Sequence, residues 1–352
     1  MSSTSEPNRQ SQDALSAEVG KTSHETVEAI AFDYFGLTGK AATLSSERDE
    51  TFLIQTDTAD DYILKIANPA ERPDVLEFQT QALIHLAAKS PALPLPRAIP
   101  SKTGQMLVTL PLGEKPRIAR LLTYLPGRQL YKARRSPEQM GALGEMLARL
   151  GKGLADFHLQ TPHQTLLWDI CNAAALTGYV AHVDPSRQRM VGHVLENFDL
   201  LANGAMRGLR RQVIHNDFNP HNIVVSERDP ATVTGVIDFG DMVEAPLVND
   251  LAVALSYQIG AENGLDDIVA MLRAYHRVNP LDPLEISCLP TLLRTRLAMT
   301  VIITEWRAAL YPENRDYILR NHPIALAGLM RLVDHSDADL GAFFRQKIGD
   351  LS

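Results

Sequence analysis

The chain is poor in several features that would mark a special environment. It has two cysteines, Cys171 and Cys288, in 352 residues. No spacing pairs them or makes a metal site with other residues, so both read as reduced thiols. Basic charge is also short. Lys and Arg number 34 against 42 Asp and Glu, for a net charge of −8. That balance argues against a nucleic-acid-binding surface. No apolar run approaches the roughly 20 residues of a membrane span. The first twenty residues, MSSTSEPNRQSQDALSAEVG, lack the apolar centre of a secretion signal. Residues 1–22 are therefore expected to be a loose polar tail, and the chain is expected to be cytoplasmic with no membrane partner. What is present is ordinary core material: 45% of the residues are hydrophobic. With this length, two domains or one two-lobed domain can bury a full interior.

The apolar pattern divides the chain. HETVEAIAFDYFGL reads as a helix stopped by Gly36. TFLIQT and YILKIA, separated by DTADD, read as a hairpin. DVLEFQTQALIHLAAKS carries a helical apolar stripe at Val75, Phe78, Ala82 and Leu86. QMLVTLP and ARLLTYLPG read as two more strands, the second ended by Pro126-Gly127. Beyond Gly127 the pattern turns helical, starting with ALGEMLARLGKGLADFH. The expected fold class is α+β: a small antiparallel-sheet lobe over 23–125 and a larger helical lobe over 126–352.

Within the second lobe one stretch, QVIHNDFNPHNIVV, has more polar groups than a turn needs. His215, Asn216, Asp217, Asn219, His221 and Asn222 lie between two apolar runs. A short way on, GVIDFGDM places Asp238 at the tip of another strand, with Gly240 allowing tight backbone. One short hairpin joins the two loops, so they must lie side by side. An Asp, an Asn five residues later and a second Asp form a hard-oxygen set. It suits Mg²⁺, which keeps waters and takes one or two carboxylates together with substrate phosphates. Spacing and order match the kinase template, in which the first Asp accepts the hydroxyl proton and the other two hold the metal. That assigns Asp217 as base and Asn222 and Asp238 as ligands. His215 reads as a structural residue. Asp250 reads either as a helix cap or as a brace for the Asp217 loop.

The template also demands a lysine on an upstream strand. Lys65 in YILKIAN supplies it, on the same strand face as Ile63, against which the purine of a bound nucleotide is expected to lie. A mid-strand lysine between apolar residues needs a partner, and Glu77 on the following helix is the candidate. The loop entering the hairpin, TLSSERDETFLI over 43–54, has no glycine. Ser45, Ser46 and turn N–H groups are left to meet phosphate oxygens. Arg294 and Arg296 read as surface or salt-bridged residues rather than catalytic ones.

HNDFNPHNIVV, GVIDFGD and NDLA, in that order and with YILK upstream, resemble the aminoglycoside phosphotransferase and choline kinase superfamily. The likeness spans roughly 25–335 and implies a protein-kinase-like two-lobed fold. VLEFQTQAL, RLLTYLPGR and LYPENRDYIL are further similar to its hydroxylysine kinase branch. The resemblance implies Mg²⁺ and a purine nucleotide, ATP or GTP, as co-substrate. It implies Lys65 on the phosphates, oriented by Glu77, and the backbone of Thr123 and Leu125 against the purine. It implies Asp250 in support of the catalytic loop. The expected acceptor is a small cationic hydroxylated metabolite. Asp241 and Glu305 are the candidate partners of its ammonium group. The rival readings are an antibiotic phosphotransferase on the same fold and a nucleotide-binding regulator without catalysis. The second would be expected to lose the lysine, the base or a metal ligand, and this chain has all of them. The oligomeric state is left open.

Overall fold

The computed structural model describes residues 22–46, 49–58, 60–160, 162 and 165–349. Apart from Thr22, the expected tail lies outside the described residues, as do positions 47 and 48 of the loop over 43–54. The chain separates into two compact units: Met1–Pro126 with His158–Thr165, and Gly127–Phe157 with Leu166–Ser352.

The first unit opens with α1 (His24–Phe35). Ser23 caps it, its hydroxyl accepting from the Thr26 N–H, and Gly36 ends it at φ 73° in the left-handed region. Six strands follow: β1 (Gly39–Leu44), β2 (Glu50–Thr56), β3 (Tyr62–Ile66), β4 (Ala98–Ile99), β5 (Val108–Leu110) and β6 (Arg117–Thr123). They form one sheet in the order β1-β2-β3-β6-β4, with β5 also on β6, and every pairing is antiparallel. Helix α2 (Pro73–Lys89) lies between β3 and β4 in the chain. Strand β1 is absent from the sequence reading. GKAATL has little strand propensity, and it is ordered as an edge by pairing with β2.

Alternation along β3 decides which side chains are exposed to chemistry. Leu64 and Ile66 enter the core with Phe52, Ile54 and Leu121, beneath Val27, Ile30 and Phe35 of α1. Ile63 and Lys65 therefore occupy the opposite face, half-buried.

The second unit is mainly helical. Its strands are short: β7 (Arg128–Gln129), β8 (Arg211–Ile214), β9 (Ile223–Val225), β10 (Val233–Val236) and β11 (Val243–Pro246). They make two small antiparallel sheets, β10-β9-β7 and β11-β8. Its longer helices are α3 (Pro137–Leu154), α4 (Pro185–Asn203), α5 (Leu247–Ser256), α6 (Gly264–Val278), α7 (Pro283–Leu310), α8 (His322–Leu332) and α9 (Asp337–Gly349), with 3₁₀ turns over Ile170–His182 and one α-turn at Arg315–Ile318. Helices α3 and α6 pack so closely that a Cβ at Gly144 would stand 2.1 Å from the Met271 carbonyl oxygen. Any larger residue there must push the helices apart.

Helix α7 is long and apolar enough to cross a membrane by length and composition. Yet 89% of its apolar window is buried inside the protein. It starts with a capping box, in which Asp282 accepts from Glu285 N–H and Glu285 accepts from Asp282 N–H. Its apolar character is that of a core helix of this unit.

Candidate active site

The two polar loops of the second unit run between the same two small sheets. One passes from β8 to β9 and carries residues 215–222, and the other passes from β10 to β11 and carries 237–242. Because β9 pairs with β10 and β8 with β11, both loops emerge at the same end. The Ile237 N–H donates to the Asn222 carbonyl at 2.8 Å and closes them against each other.

His215 ties the pair. It is fully buried. Its Nδ1 accepts from the Asp217 N–H at 3.2 Å, and its Nε2 lies 3.2 Å from the Ile237 carbonyl. One neutral tautomer, with the proton on Nε2, satisfies both contacts. The ring also meets Phe239 edge-on at 4.8 Å. One imidazole thus sets the base loop against the second loop.

Asp250, in the first turn of α5, has the bracing contacts rather than a cap of its own helix. Its Oδ1 accepts from the Asn216 N–H at 2.8 Å and its Oδ2 from the His215 N–H at 3.2 Å. Burial pushes this carboxyl above the ordinary carboxylate range, while the two backbone N–H bonds pull the other way. The bonds hold Asn216 at φ 63°, and Asp238 sits at φ 62°. These are the only non-glycine residues at positive φ among the described residues. Asn and Asp tolerate this region best, and such strain persists only where surroundings enforce it.

Asp217 itself is held on both oxygens. Oδ1 accepts from Asn219 Nδ2 at 2.8 Å and Oδ2 from Asn222 Nδ2 at 2.6 Å. Burial, together with the carboxylates of Asp241 and Asp238, pushes Asp217 well above the usual carboxylate range. Arg296 and the Asn219 bond oppose that push. Asp217, Asn222, Asp238 and Asp241 are therefore one electrostatic cluster.

The donors fit a hard divalent cation. Asn222 spends its Nδ2 on Asp217, both on the side chain and on the main-chain carbonyl, which leaves its Oδ1 for a metal. Asp238 is an exposed carboxylate at the strand tip. A Cβ at Gly240 would stand 3.2 Å from Asp238 Oδ1, so glycine there leaves the carboxylate room. Among the described residues no three His, Cys, Asp or Glu side chains converge as a cage. One carboxylate and one amide suit Mg²⁺, which takes few protein ligands.

Glu305 is not placed for an acceptor. Its Oε1 pairs with Arg187 Nη1 at 2.7 Å and with His322 Nε2 at 2.7 Å, and its Oε2 accepts from the Asp184 N–H at 2.7 Å. Partners on α4 and α8, remote in sequence, consume both oxygens. Arg296, read from sequence as a surface or salt-bridged residue, is 1% exposed and stands beside Asp217. Arg294 instead pairs with Asp337 at 3.3 Å.

In the first unit the carboxylate beside Lys65 is Asp49, at 3.7 Å. Lys65 lies directly opposite Arg120 in the β3–β6 ladder. Two like charges facing each other across strands repel. Asp49 answers both, with Arg120 at 4.0 Å. Glu77, the expected partner, is exposed and accepts from Gln81 Nε2 at 2.8 Å, one turn along α2. The stripe that buries Val75 and Phe78 turns Glu77 outward. Ser46 is exposed. The Thr123 N–H is committed to the Arg97 carbonyl at 3.0 Å, whereas Leu125 makes no backbone hydrogen bond among the described residues. Of the two backbone N–H groups expected near a purine, the Thr123 one is spent and the Leu125 one is not. An expected result follows: Asp49→Asn raises nucleotide KM severalfold, and Glu77→Gln leaves it within twofold. Steady-state kinetics at varied nucleotide checks this, and equal effects of the two variants would refute it.

Comparison with known proteins supplies the family and the fold likeness. A model of the phosphotransferase enzyme family matches residues 40–287. The hydroxylysine kinase of Mus musculus is 28% identical over 330 residues, covering 87% of this chain and 88% of that protein. The homoserine kinase of Parvibaculum lavamentivorans is 28% identical over 285 residues, covering 78% and 79%. Among solved structures, a microcompartment-associated aminopropanol kinase superposes with a TM-score of 0.65 at 17% identity, covering 90% of this chain and 99% of that one. An amicoumacin kinase bound to AMP-PNP and Ca²⁺ gives 0.64 at 18% identity, covering 86% and 95%.

Proposed function

Because the chain belongs to the phosphotransferase enzyme family and is a small-molecule kinase with an alcohol acceptor, we propose that it phosphorylates the hydroxyl of an amino alcohol or hydroxylated amino acid, 5-hydroxylysine first among them. The donor is the γ-phosphoryl group of a purine nucleotide, GTP or ATP. The observation that carries the reading is the Asp217 carboxylate, aligned on both oxygens by Asn219 and Asn222.

In this reading Asp217 orients the acceptor hydroxyl and takes its proton late. Lys65 meets the nucleotide phosphates, and the Leu125 backbone meets the purine. Asn222 and Asp238 hold Mg²⁺, which when bound offsets charge on the phosphates. The protein otherwise supplies position and a fixed field rather than covalent chemistry.

The acceptor class rests on charge. Asp217, Asp238 and Asp241 gather negative potential at one loop end, which attracts a cation attached to the alcohol. Hydroxylysine, homoserine and aminopropanol, the compounds in the relatives' names, each join an amine to a hydroxyl. With Glu305 occupied by Arg187 and His322, Asp241 is the ammonium partner. A coupled assay over 5-hydroxylysine, homoserine, 1-amino-2-propanol and aminoglycosides, with GTP and with ATP, tests the proposal. Turnover of aminoglycosides alone would overturn the acceptor class.

Asp241→Asn is expected to raise acceptor KM roughly tenfold, the factor that 1.4 kcal/mol corresponds to. Nucleotide KM should stay nearly constant. The same change removes a like charge that raises the Asp217 pKa. Its removal lowers that pKa, so the acidic limb of the kcat/KM profile moves to lower pH. A limb that stays in place, with acceptor KM unchanged, would remove Asp241 from both roles.

A further inference from the structure

Arg296 lies in the middle of α7, and burying a guanidinium costs several kcal/mol unless it is well paired. Its surroundings are specific. Nη1 donates to the Trp168 carbonyl. The guanidinium lies over the Trp168 ring, 5.0 Å from its centroid. Tyr257, the residue that follows α5, is buried and close enough to feel its charge. Nη2 stands 3.8 Å from Asp217 Oδ1, and Nε has no partner among the described residues. Trp168 thus fixes the plane of the fork, and the fork presents one corner to the base.

The 3.8 Å separation matters. It is an ion-pair distance and lies beyond N–H···O hydrogen-bond reach, which ends near 3.2 Å. The cation therefore holds Oδ1 by charge without occupying a lone pair. Asn219 takes one lone pair of Oδ1 and Asn222 one of Oδ2. The carboxylate keeps acceptor capacity for a substrate proton while being drawn to one side. Asp241 and Asp238 repel it, and Arg296 is the cation that opposes them.

We propose that Arg296 is a positioning residue for the transfer step. Clamped by Trp168, it holds the Asp217 side chain in its reactive orientation against the repulsion of Asp241 and Asp238. Arg296 touches no substrate, because it is buried. Its influence passes through Asp217, so it acts on kcat and not on the binding of either substrate. This rests on the kinase reading above.

The test uses the full chain with GTP and Mg²⁺, and with 5-hydroxylysine, or with 1-amino-2-propanol if the panel selects it. Arg296→Met is expected to lower kcat roughly 10- to 100-fold, the loss expected when a positioned group drifts by about 1 Å. Both KM values should stay within threefold. Arg296→Lys keeps the charge without the fork and should recover part of the loss. In an Asp217→Asn background, Arg296→Met should change the residual turnover less than twofold, since the group it positions is gone. A purely structural arginine would lower both backgrounds alike, and that result overturns the proposal. So does a kcat for Arg296→Met within twofold of the parent. Should Arg296→Met fail to fold, Trp168→Leu decides: a lower kcat at unchanged KM values supports the clamp, and an unchanged kcat refutes it. If Asp217→Asn itself leaves turnover intact, the base role of Asp217 fails, and this inference with it. If only the Arg296 variants leave it intact, this inference fails alone.

Discussion

Asp217→Asn is expected to lower kcat by about 10²- to 10⁴-fold, the usual cost of losing a positioned base, while nucleotide affinity stays close to that of the parent. The amide nearly matches the carboxylate in shape but not in bonding. Asn219 and Asn222 each donate an N–H to one oxygen of Asp217. An amide offers one oxygen and one NH₂, so one of those donors would face another donor. The side chain must shift, and the remaining oxygen is a far weaker proton acceptor. Nucleotide contacts assigned to Lys65 and the Leu125 backbone involve neither oxygen. Isothermal titration with a non-hydrolysable nucleotide and single-turnover kinetics separate the two effects. A variant that turns over within tenfold of the parent would remove Asp217 from the base role.

Asp250→Ala should have the largest effect on stability. It leaves the N–H groups of His215 and Asn216 buried without an acceptor. Each orphaned donor costs about 1–3 kcal/mol, against a total stability of roughly 5–15 kcal/mol. A loss of that size lowers Tm by roughly 3–8 °C in a protein of this length. Asn216 would then be free to leave its left-handed conformation, and the His215 contacts would loosen with it. Turnover should therefore fall along with Tm, even though Asp250 touches no substrate. Asp250→Asn retains one acceptor oxygen and should lose about half as much. Thermal melts of the three proteins check the order, and a Tm for the alanine variant within 2 °C of the parent would refute the bracing role.

How far the site can be read from sequence depends on how its contacts are made. Asp217 and Asn222 are five residues apart, and Asp238 follows one hairpin later, so local spacing alone brings them into view. Alternation on β3 likewise places Ile63 with Lys65, because a strand has period two whatever surrounds it. The misses are contacts that only tertiary packing makes. Asp49 reaches Lys65 through the β2–β3 register and balances Arg120 from yet another strand. Glu77 was the nearer guess in sequence, but the face that α2 buries sets its direction. Glu305 looked available because Arg187 lies 118 residues away. Arg296 carries a faint local signal: an arginine inside the apolar stretch RLAMTVII needs a buried countercharge. Nothing near it in the chain identifies Asp217 as that countercharge.

Helix α7 carries five buried or half-buried charges, Glu285, Arg294, Arg296, Glu305 and Arg307, and three of them are answered from well-separated parts of the second unit. Glu285 pairs with Arg210, Arg296 with Asp217, and Glu305 with Arg187 and His322. From 285 to 296 is eleven residues and from 296 to 305 is nine, or roughly 16 Å and 14 Å along the axis at 1.5 Å per residue. Apolar side chains alone would let such a helix slide or rotate by a residue at modest cost, since Leu, Ile and Met substitute for one another in a core. Three pinned charges forbid that: a slip of one position would unpair all of them together. The helix therefore works as a ruler with three marks, in the way a single buried polar residue sets the register of a coiled coil. Its middle mark sets the distance between the core of the unit and the Asp217 carboxylate.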